Sequence, residues 1–341
     1  MQPKGYLIRF CGIICAPALV VLFAFNYSHK KLNRYELSGY AQGTTWKVSY
    51  YAPDSVISKV SIDKVLVDID NSMSLYKPNS KISEFNRSLN GVKIDKHLRK
   101  VIKKSIFIHK ATGGAFDITV KPLVQAWGFG ATKSKSNPDL STINKILSCV
   151  GTGYISIRND SLVKSKTCVE IDLNGIAQGY SVDVISKLLE SAMINSYIVE
   201  LGGEIRVKGR KTDGTKFKIG IETPTDSDSL TLKKTLSINK GAITTSGNYR
   251  QYKFQGNIKI SHLVNPKSGY PINNEMISVT VWAKDAITAD GFDNVFMSFG
   301  IKESLNYLKN RTDLAAYFIY TKADNSIADT ASLQFYKFFK N

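Results

Sequence analysis

The stretch Cys168-Val169-Glu170-Ile171-Asp172-Leu173-Asn174-Gly175-Ile176-Ala177-Gln178-Gly179-Tyr180 decides how the rest of the chain is read. Its apolar opening, Cys168 to Ile171, reads as a short strand that stops at an acid. A glycine turn follows, and from Tyr180 to Leu189 the apolar residues switch from period two to helical spacing. A strand that delivers a carboxylate to a glycine turn at a helix N-terminus suits a phosphate group. The backbone approaches closely there, and free N–H groups point outward. Many such junctions bind nothing, so the weight comes from three companions downstream. They are Thr244-Thr245-Ser246-Gly247-Asn248-Tyr249, Ser261-His262-Leu263-Val264-Asn265-Pro266 and Thr288-Ala289-Asp290-Gly291-Phe292-Asp293-Asn294.

Working outward, Trp46 to Tyr51 alternates as a strand. Val56 to Ser72 and Leu98 to Ala111 carry helical periodicity, the second closed by Gly113-Gly114. Ile143 to Val150 is a short helix, and Tyr154 to Ile171 a hairpin turning at Asn159-Asp160. Ser181 to Met193 is helical. Strands then dominate, at Tyr197 to Leu201, Glu204 to Lys208, Lys216 to Glu222, Thr231 to Asn239 and Ser278 to Ala283. Ala289 to Gly300 starts a helix, and Leu314 to Thr321 and Gln334 to Phe339 are late strands. Strands in neighbouring pairs with helices interleaved, but not strictly alternating, predict an α+β fold. Its sheet is largely antiparallel and forms a single mixed domain over residues 35–341.

The chain has 341 residues, 43% of them hydrophobic and 11% aromatic, ordinary values for a globular protein with a full core. The net charge of +18 comes from lysines spread along the whole chain. That distribution reads as a solvated lysine-rich surface, with attraction of an anionic ligand or an acidic membrane surface as the alternative. No nucleic-acid motif accompanies it. Four cysteines exclude a disulfide-dense scaffold. Cys11 and Cys15 fall in the N-terminal apolar run. Cys149 and Cys168 read as two separately buried thiols, with pairing open in an oxidising compartment. No zinc-type spacing is present.

Lys4 and Arg9 precede the uncharged run Phe10 to Phe25, the layout of a secretory signal or an uncleaved anchor. As a helix the run spans roughly 24 Å, flanked by Tyr6 and Tyr27. No clean cleavage site follows. Residues 1–34 are therefore expected to be an anchor and linker, with the following domain exported. A lipid-modified Cys15 is the alternative. Lys30, Lys31 and Arg34 argue somewhat against export, since positive charge favours the cytoplasmic face.

Eight ordered blocks resemble the ApbE family of flavin transferases from about Gly39 to the C-terminus. They are Gly43-Thr44-Thr45-Trp46, Met73-Ser74-Leu75-Tyr76 with Ser80 to Asn86, Gly114-Ala115-Phe116-Asp117-Ile118-Thr119 through Trp127-Gly128-Phe129, Asp172 to Asp183, Glu200 to Ile205, Thr245 to Tyr249, His262 to Pro271, and Ala289-Asp290. The resemblance implies a reaction. FAD is split at its pyrophosphate, FMN passes to a threonine or serine hydroxyl of a partner protein, and AMP leaves. The acceptors it suggests are flavin-carrying subunits of membrane redox complexes. Combined with the N-terminal run, it implies an enzyme held at a bacterial inner membrane with its catalytic domain facing the periplasm or exterior.

The resemblance also implies roles for residues. Magnesium, which prefers hard oxygen ligands, falls to Asp290, Asn294, Asp293 and the backbone carbonyl of Gly175. An N-cap function is the alternative for Asp290. FAD falls to Gln42, Tyr76, Ala115, Phe116, Asp117, Asp172, Gln178, Ser246 and Gly247. Tyr76 offers a ring for stacking, unless it is an ordinary core tyrosine, and Ser246-Gly247 offers a turn for the pyrophosphate. His262 takes the family's histidine position, where an imidazole can accept the proton of the incoming hydroxyl; a structural histidine is the alternative. His29 lies in the linker, and His97 and His109 look solvated. The chain departs from the family at Gln42, Gln178, Ser261, Asn265 and Asn294. Gln178 removes a positive charge near the ligand. Two other functions stay open: an FAD pyrophosphatase with water as acceptor, and a non-catalytic FAD-binding protein.

Overall fold

A computed structural model describes residues 31–130, 137–223, 231–248, 252–255 and 258–339. The apolar run Phe10 to Phe25, together with Cys15, Lys30, His29 and Tyr249, lies outside these residues. Among the described residues, no helix is long and apolar enough to cross a membrane. Residues 32–341 form one compact unit.

In chain order the elements begin with β1 (Asn33–Ala41), β2 (Thr44–Ala52), α1 (Lys59–Met73), α2 (Lys81–Arg87), β3 (Gly91–Lys93) and α3 (Lys96–Ala111). Next come α4 (Lys121–Ala126), α5 (Leu140–Leu147), β4 (Ile155–Arg158), β5 (Ser161–Lys164), α6 (Ala177–Ser191), β6 (Tyr197–Leu201) and β7 (Glu204–Lys208). Then follow β8 (Phe217–Thr223), β9 (Thr231–Ile238), β10 (Lys240–Gly247), β11 (Tyr252–Gln255) and β12 (Ile258–Ser261). The chain closes with β13 (Met276–Ala283), α7 (Ala286–Leu308), β14 (Leu314–Thr321) and β15 (Ile327–Ala331). The α+β expectation holds.

An eight-stranded sheet in the order β1-β2-β6-β7-β10-β13-β14-β15 is the backbone of the fold, and each of its pairings is antiparallel. Helices cover one face. Ile62 and Leu66 of α1, and Val182, Ile185 and Leu189 of α6, recur at helical spacing and bury against Trp46, Val48 and Tyr50 of β2. The face of α7 that carries Phe292, Val295 and Phe296 packs with α3 and with Val279, Val281 and Phe318 of the sheet. The opposite face is closed by the β8–β9 hairpin and by Phe335 and Phe338. Each such side chain, fully enclosed, contributes about 1.5 to 3 kcal/mol. Gly179 sets how closely α6 meets α7. A Cβ there would stand 2.4 Å from the Ala286 carbonyl oxygen and 2.7 Å from the Asp290 Cβ.

Several boundaries differ from the sequence expectation. The sheet starts at Asn33, inside the expected linker, because β1 finds a full nine-residue partner in β2. Cys168 to Ile171 is not a strand. Side chains hold it instead: Asn86 exchanges two hydrogen bonds with the Ile171 backbone at 2.8 and 2.9 Å, and Lys164 Nζ donates to the Val169 carbonyl at 2.9 Å. Ser246 and Gly247, expected in a turn, lie on β10, paired with Val279 and Ser278 of β13. The small residues Gly241, Ala242 and Thr244 mask that strand in the sequence. Helix α2 was not expected, and α7 begins at Ala286 rather than Ala289. Gln334 to Phe339 is not a strand but contains a 3₁₀ turn, Tyr336–Phe338. Its Phe335, Phe338 and Phe339 follow a helical rather than a two-residue period. Cys149 and Cys168 form a disulfide, with Cα atoms 5.6 Å apart, rather than two separate thiols.

Candidate active site

Helix α7 carries the acidic part of the site. Asp285, not Asp290, is its N-cap, accepting from Thr288 N at 3.1 Å. Asp290 stands in the second turn, 4% exposed, and its Oδ2 accepts from Gly179 N at 2.8 Å. Burial pushes the Asp290 carboxyl up to about 7; the Gly179 N–H opposes this and the charge of Asp183 adds to it. Burial, and then the Asp290 charge, raise Asp293 well above the ordinary carboxylate range. A protein that keeps two carboxyls in this state holds a site whose energetics invite positive charge.

Asn294 makes the geometry legible. Its Nδ2 lies 3.2 Å from the Gly175 carbonyl oxygen, 3.0 Å from the Asp290 carbonyl oxygen and 3.0 Å from Asp293 Oδ1. Its Oδ1 accepts from Ser246 Oγ at 3.4 Å. Three oxygens thus converge on one amide group, and an amide presents an oxygen as readily as a nitrogen. This all-oxygen donor set, with two buried carboxyls beside it, fits a hard dication such as Mg²⁺. Among the described residues, no group of three or more His, Cys, Asp or Glu side chains is placed to hold a metal ion, and two of the three oxygens here are backbone carbonyls.

Asp183 ties the two site helices together. From α6 it accepts from Ala286 N at 2.9 Å and from Ile287 N at 3.0 Å, the first N–H groups of α7. It also meets Arg206 Nη1 at 2.5 Å. Burial raises the Asp183 carboxyl while Arg206 and the two N–H groups draw it down. Arg206, although burial lowers it, is held up by Asp183. Both move upward, which favours the neutral form of Asp183 and the charged form of Arg206. The convergence of a guanidinium and two helix N–H groups on one carboxyl is the geometry of an ionised pair.

The glycine turn leads from this junction to a cleft of about 360 Å³. Tyr76, Lys121, Phe129, Glu170, Asp172 and Asn174 are among its walls. Tyr76 is 77% exposed, so it is not a core tyrosine and its ring is open to stacking. Asp172 accepts from Asn174 N at 2.8 Å. Burial raises its carboxyl, against the Asn174 N–H and the charge of Lys121. Asp172 N in turn donates to the Ile118 carbonyl at 2.8 Å, which fixes the turn of Ala115, Phe116 and Asp117 beside it. The Phe116 ring lies 3.8 Å from where a Cβ on Gly175 would stand.

The Asp117 carboxylate is engaged by the protein itself. It accepts from Thr119 N at 2.8 Å, Thr119 Oγ1 at 2.6 Å and Thr152 N at 2.9 Å, and lies 3.3 Å from His109 Nδ1. Burial alone would raise it, but His109, Thr119 and Thr152 together hold it below the usual range. His109 is therefore not a solvated histidine. Its hydrogen bond with Asp117 raises it, and its Nδ1 also lies 3.0 Å from the Phe116 carbonyl oxygen. Nor is His97, half-buried with Nδ1 2.9 Å from the Tyr180 hydroxyl.

Gln42 sits with φ of 53° in the tight turn between β1 and β2 and accepts from Ser181 Oγ on α6 at 3.1 Å. Gln178 reaches the Gly202 turn, where its Nε2 lies 2.7 Å from the position a Cβ would take. His262 contacts the cleft-lining Phe129 edge to face, with ring centroids 6.4 Å apart. Gly175, Asp290, Asp293, Asn294 and Ser246 thus come together at one junction. Tyr76 and Asp172 line the adjoining cleft, and Gly247 continues β10 beside Ser246. Lys121, Glu170, Asp183 and His109 belong to this region, and the first two and His109 carry no distinguishing signal in the sequence. Asp183 alone had one, four residues beyond Gly179 on the same helical face.

The site is thus a cleft in a mixed α+β domain that adjoins a buried, oxygen-lined acidic junction. A sequence profile of the ApbE family matches residues 42–318, and the chain belongs to that family. It is 33% identical over 331 residues to the FAD:protein FMN transferase of Vibrio cholerae serotype O1, spanning 94% of this chain and 97% of that one. With the enzyme of the same name from Haemophilus influenzae, identity is 32%, over 96% of both chains. Among solved structures, flavin transferase ApbE from Vibrio cholerae superposes with a TM-score of 0.81 at 32% identity, covering 90% of this chain and 99% of that one. Pseudomonas stutzeri flavinyl transferase ApbE, in its apo form, gives 0.82 at 28% identity, covering 91% and 98%.

Proposed function

We propose that the chain is an FAD:protein FMN transferase, moving FMN from FAD to a threonine or serine hydroxyl of a partner protein and releasing AMP. The observation that carries this reading is continuity. Asp172 on the wall of an aromatic cleft lies three residues from Gly175, whose carbonyl oxygen is 3.2 Å from Asn294 in the oxygen-lined junction. A ring system in the cleft places its phosphates at the junction.

In this reading Tyr76 stacks on a ring of FAD, and Asp172 with the Ala115-Phe116-Asp117 turn shapes its pocket. Asp117 acts by holding the turn. Gln42, Gln178, Ser246 and Gly247 face the remainder of the dinucleotide. Asp290, Asp293, Asn294 and the Gly175 carbonyl hold Mg²⁺, which when bound screens the pyrophosphate charge. The acceptor hydroxyl oxygen attacks the FMN phosphorus as the bond to the AMP oxygen breaks, and His262 takes the hydroxyl proton. The N-terminal run holds the protein at a bacterial inner membrane with this domain on the periplasmic or exterior side, beside an acceptor in a membrane redox complex. The Cys149–Cys168 disulfide supports an oxidising compartment.

The test is incubation of the purified full chain with FAD and Mg²⁺, with and without an acceptor protein, following AMP and protein-bound flavin fluorescence. Acceptor-dependent AMP release with stoichiometric flavin attachment is expected. AMP without attachment would instead establish hydrolysis, and neither product would overturn the reading. His262→Ala should slow single-turnover transfer by roughly 10² to 10⁴ with FAD affinity little changed.

A further inference from the structure

Lys121 and Glu170 form an ion pair inside the cleft, with side chains 17% and 33% exposed. Lys121 opens α4 directly after the Asp117 turn, and its Nζ also donates to Gln125 Oε1 at 3.1 Å. Glu170 is differently mounted. Its segment has no strand partner but is pinned on both sides, by the Cys168 disulfide and the Lys164 bond to Val169 before and beside it, and by the Asn86 clamp on Ile171 after it. The acceptor is thus rigidly placed while the donor rides a flexible four-carbon stem. Both stand on the same cleft as the open Tyr76 ring.

We propose that the Lys121–Glu170 pair is a specificity device that opens on binding and reads the polar edge of a planar nitrogen heterocycle lying in the cleft. Glu170 accepts from a ring or exocyclic N–H of that edge, and Lys121 donates to the adjacent ring nitrogen or carbonyl oxygen. A pair whose partners already attract one another resists opening to any ligand that does not offer both a donor and an acceptor. Apolar rings and rings with acceptors only are thereby rejected. This inference rests on the FAD reading above, and both ends of FAD carry such an edge: the imide of the isoalloxazine and the amidine of adenine. The shared chemistry is a donor beside an acceptor on one ring edge, and FMN and ADP serve as separate probes of the two sources.

The experiment measures dissociation constants of FAD, FMN and ADP, and thermal midpoints, for the full chain and three variants: Lys121→Met, Glu170→Gln and the charge-swapped Lys121→Glu/Glu170→Lys. Each single change is expected to weaken FAD binding by roughly 10- to 100-fold, the worth of a hydrogen bond to a charged group. Either FMN or ADP, whichever ring the pair reads, should weaken by the same factor while the other does not. The swap should restore the thermal midpoint but not the affinity, because the rigid wall then presents a donor in place of an acceptor. If Lys121→Met binds FAD as tightly as the unsubstituted chain, or the swap restores affinity along with stability, the pair is merely structural and the inference falls alone. If the unsubstituted chain binds no FAD, the FAD reading falls and takes the inference with it.

Discussion

Replacing Asp290 by Asn should make the metal-free protein more stable at pH 8 and inactive. The carboxyl is buried and held at about 7 against an ordinary 3.8. Between those values the folded chain keeps a proton that the unfolded chain has released, so stability falls as pH rises through that window and the loss is complete above it. Roughly 3 pH units at about 1.4 kcal/mol each give a cost near 4 kcal/mol at pH 8. Asn keeps an oxygen for the Gly179 N–H, which now lies 2.8 Å from Asp290 Oδ2, and carries no charge. Removing that charge also relieves Asp293, which Asp290 raises; Asp293 then ionises at a smaller cost, which adds to the gain. The expected increase is therefore about 4 kcal/mol or more at pH 8 and near zero at pH 4. Urea denaturation in chelator at both pH values measures it. Added Mg²⁺ should stabilise the unsubstituted protein at pH 8 and leave the variant unmoved. Equal stability of the two proteins at pH 8, or a variant weakened equally at both pH values, would refute the argument that Asp290 is a strained carboxylate awaiting a cation.

Three further outcomes follow from the geometry. His109→Gln should lose about 1 kcal/mol, as expected for a half-buried charged hydrogen bond. Because the folded-state value of His109 is raised above 6.5, the loss should be full below pH 6.5 and fade as pH rises through that folded value, as paired denaturation curves would show. Cys149→Ser, or reduction, opens a loop with a sequence separation of 19 and should cost about 3 kcal/mol; an unchanged melting curve under reductant would remove the disulfide. Gly179→Ala should cost roughly 1 to 3 kcal/mol by forcing α6 from α7 and should lower magnesium affinity, whereas Gly113→Ala, where a Cβ meets nothing within 4 Å, serves as the strained-turn control.

The sequence by itself determined which elements exist along most of the chain and which side of each faces inward. Tyr197–Leu201 alternates in burial as a half-buried strand must, while Leu314–Thr321 is a continuous apolar run buried over its first six residues. The motif order likewise carried the family. What the tertiary structure alone decided is what lies opposite what. The run before Asp172 looks like a strand but finds no ladder, since Asn86 and Lys164 arrive from distant positions to satisfy its backbone. Ser246 looks like a turn residue but sits on a strand, because β13 supplies a partner, Val279, that its small neighbours do not advertise. The same holds for chemistry. Asp290 and Asn294 share a helical face by spacing alone, but the Gly175 carbonyl reaches them only because Gly179 lets two helices touch. Pairings such as Lys121 with Glu170, Asp183 with Arg206 and Cys149 with Cys168 leave no periodic trace. Each is a meeting between segments that folding brings together, and local sequence records only one side of it.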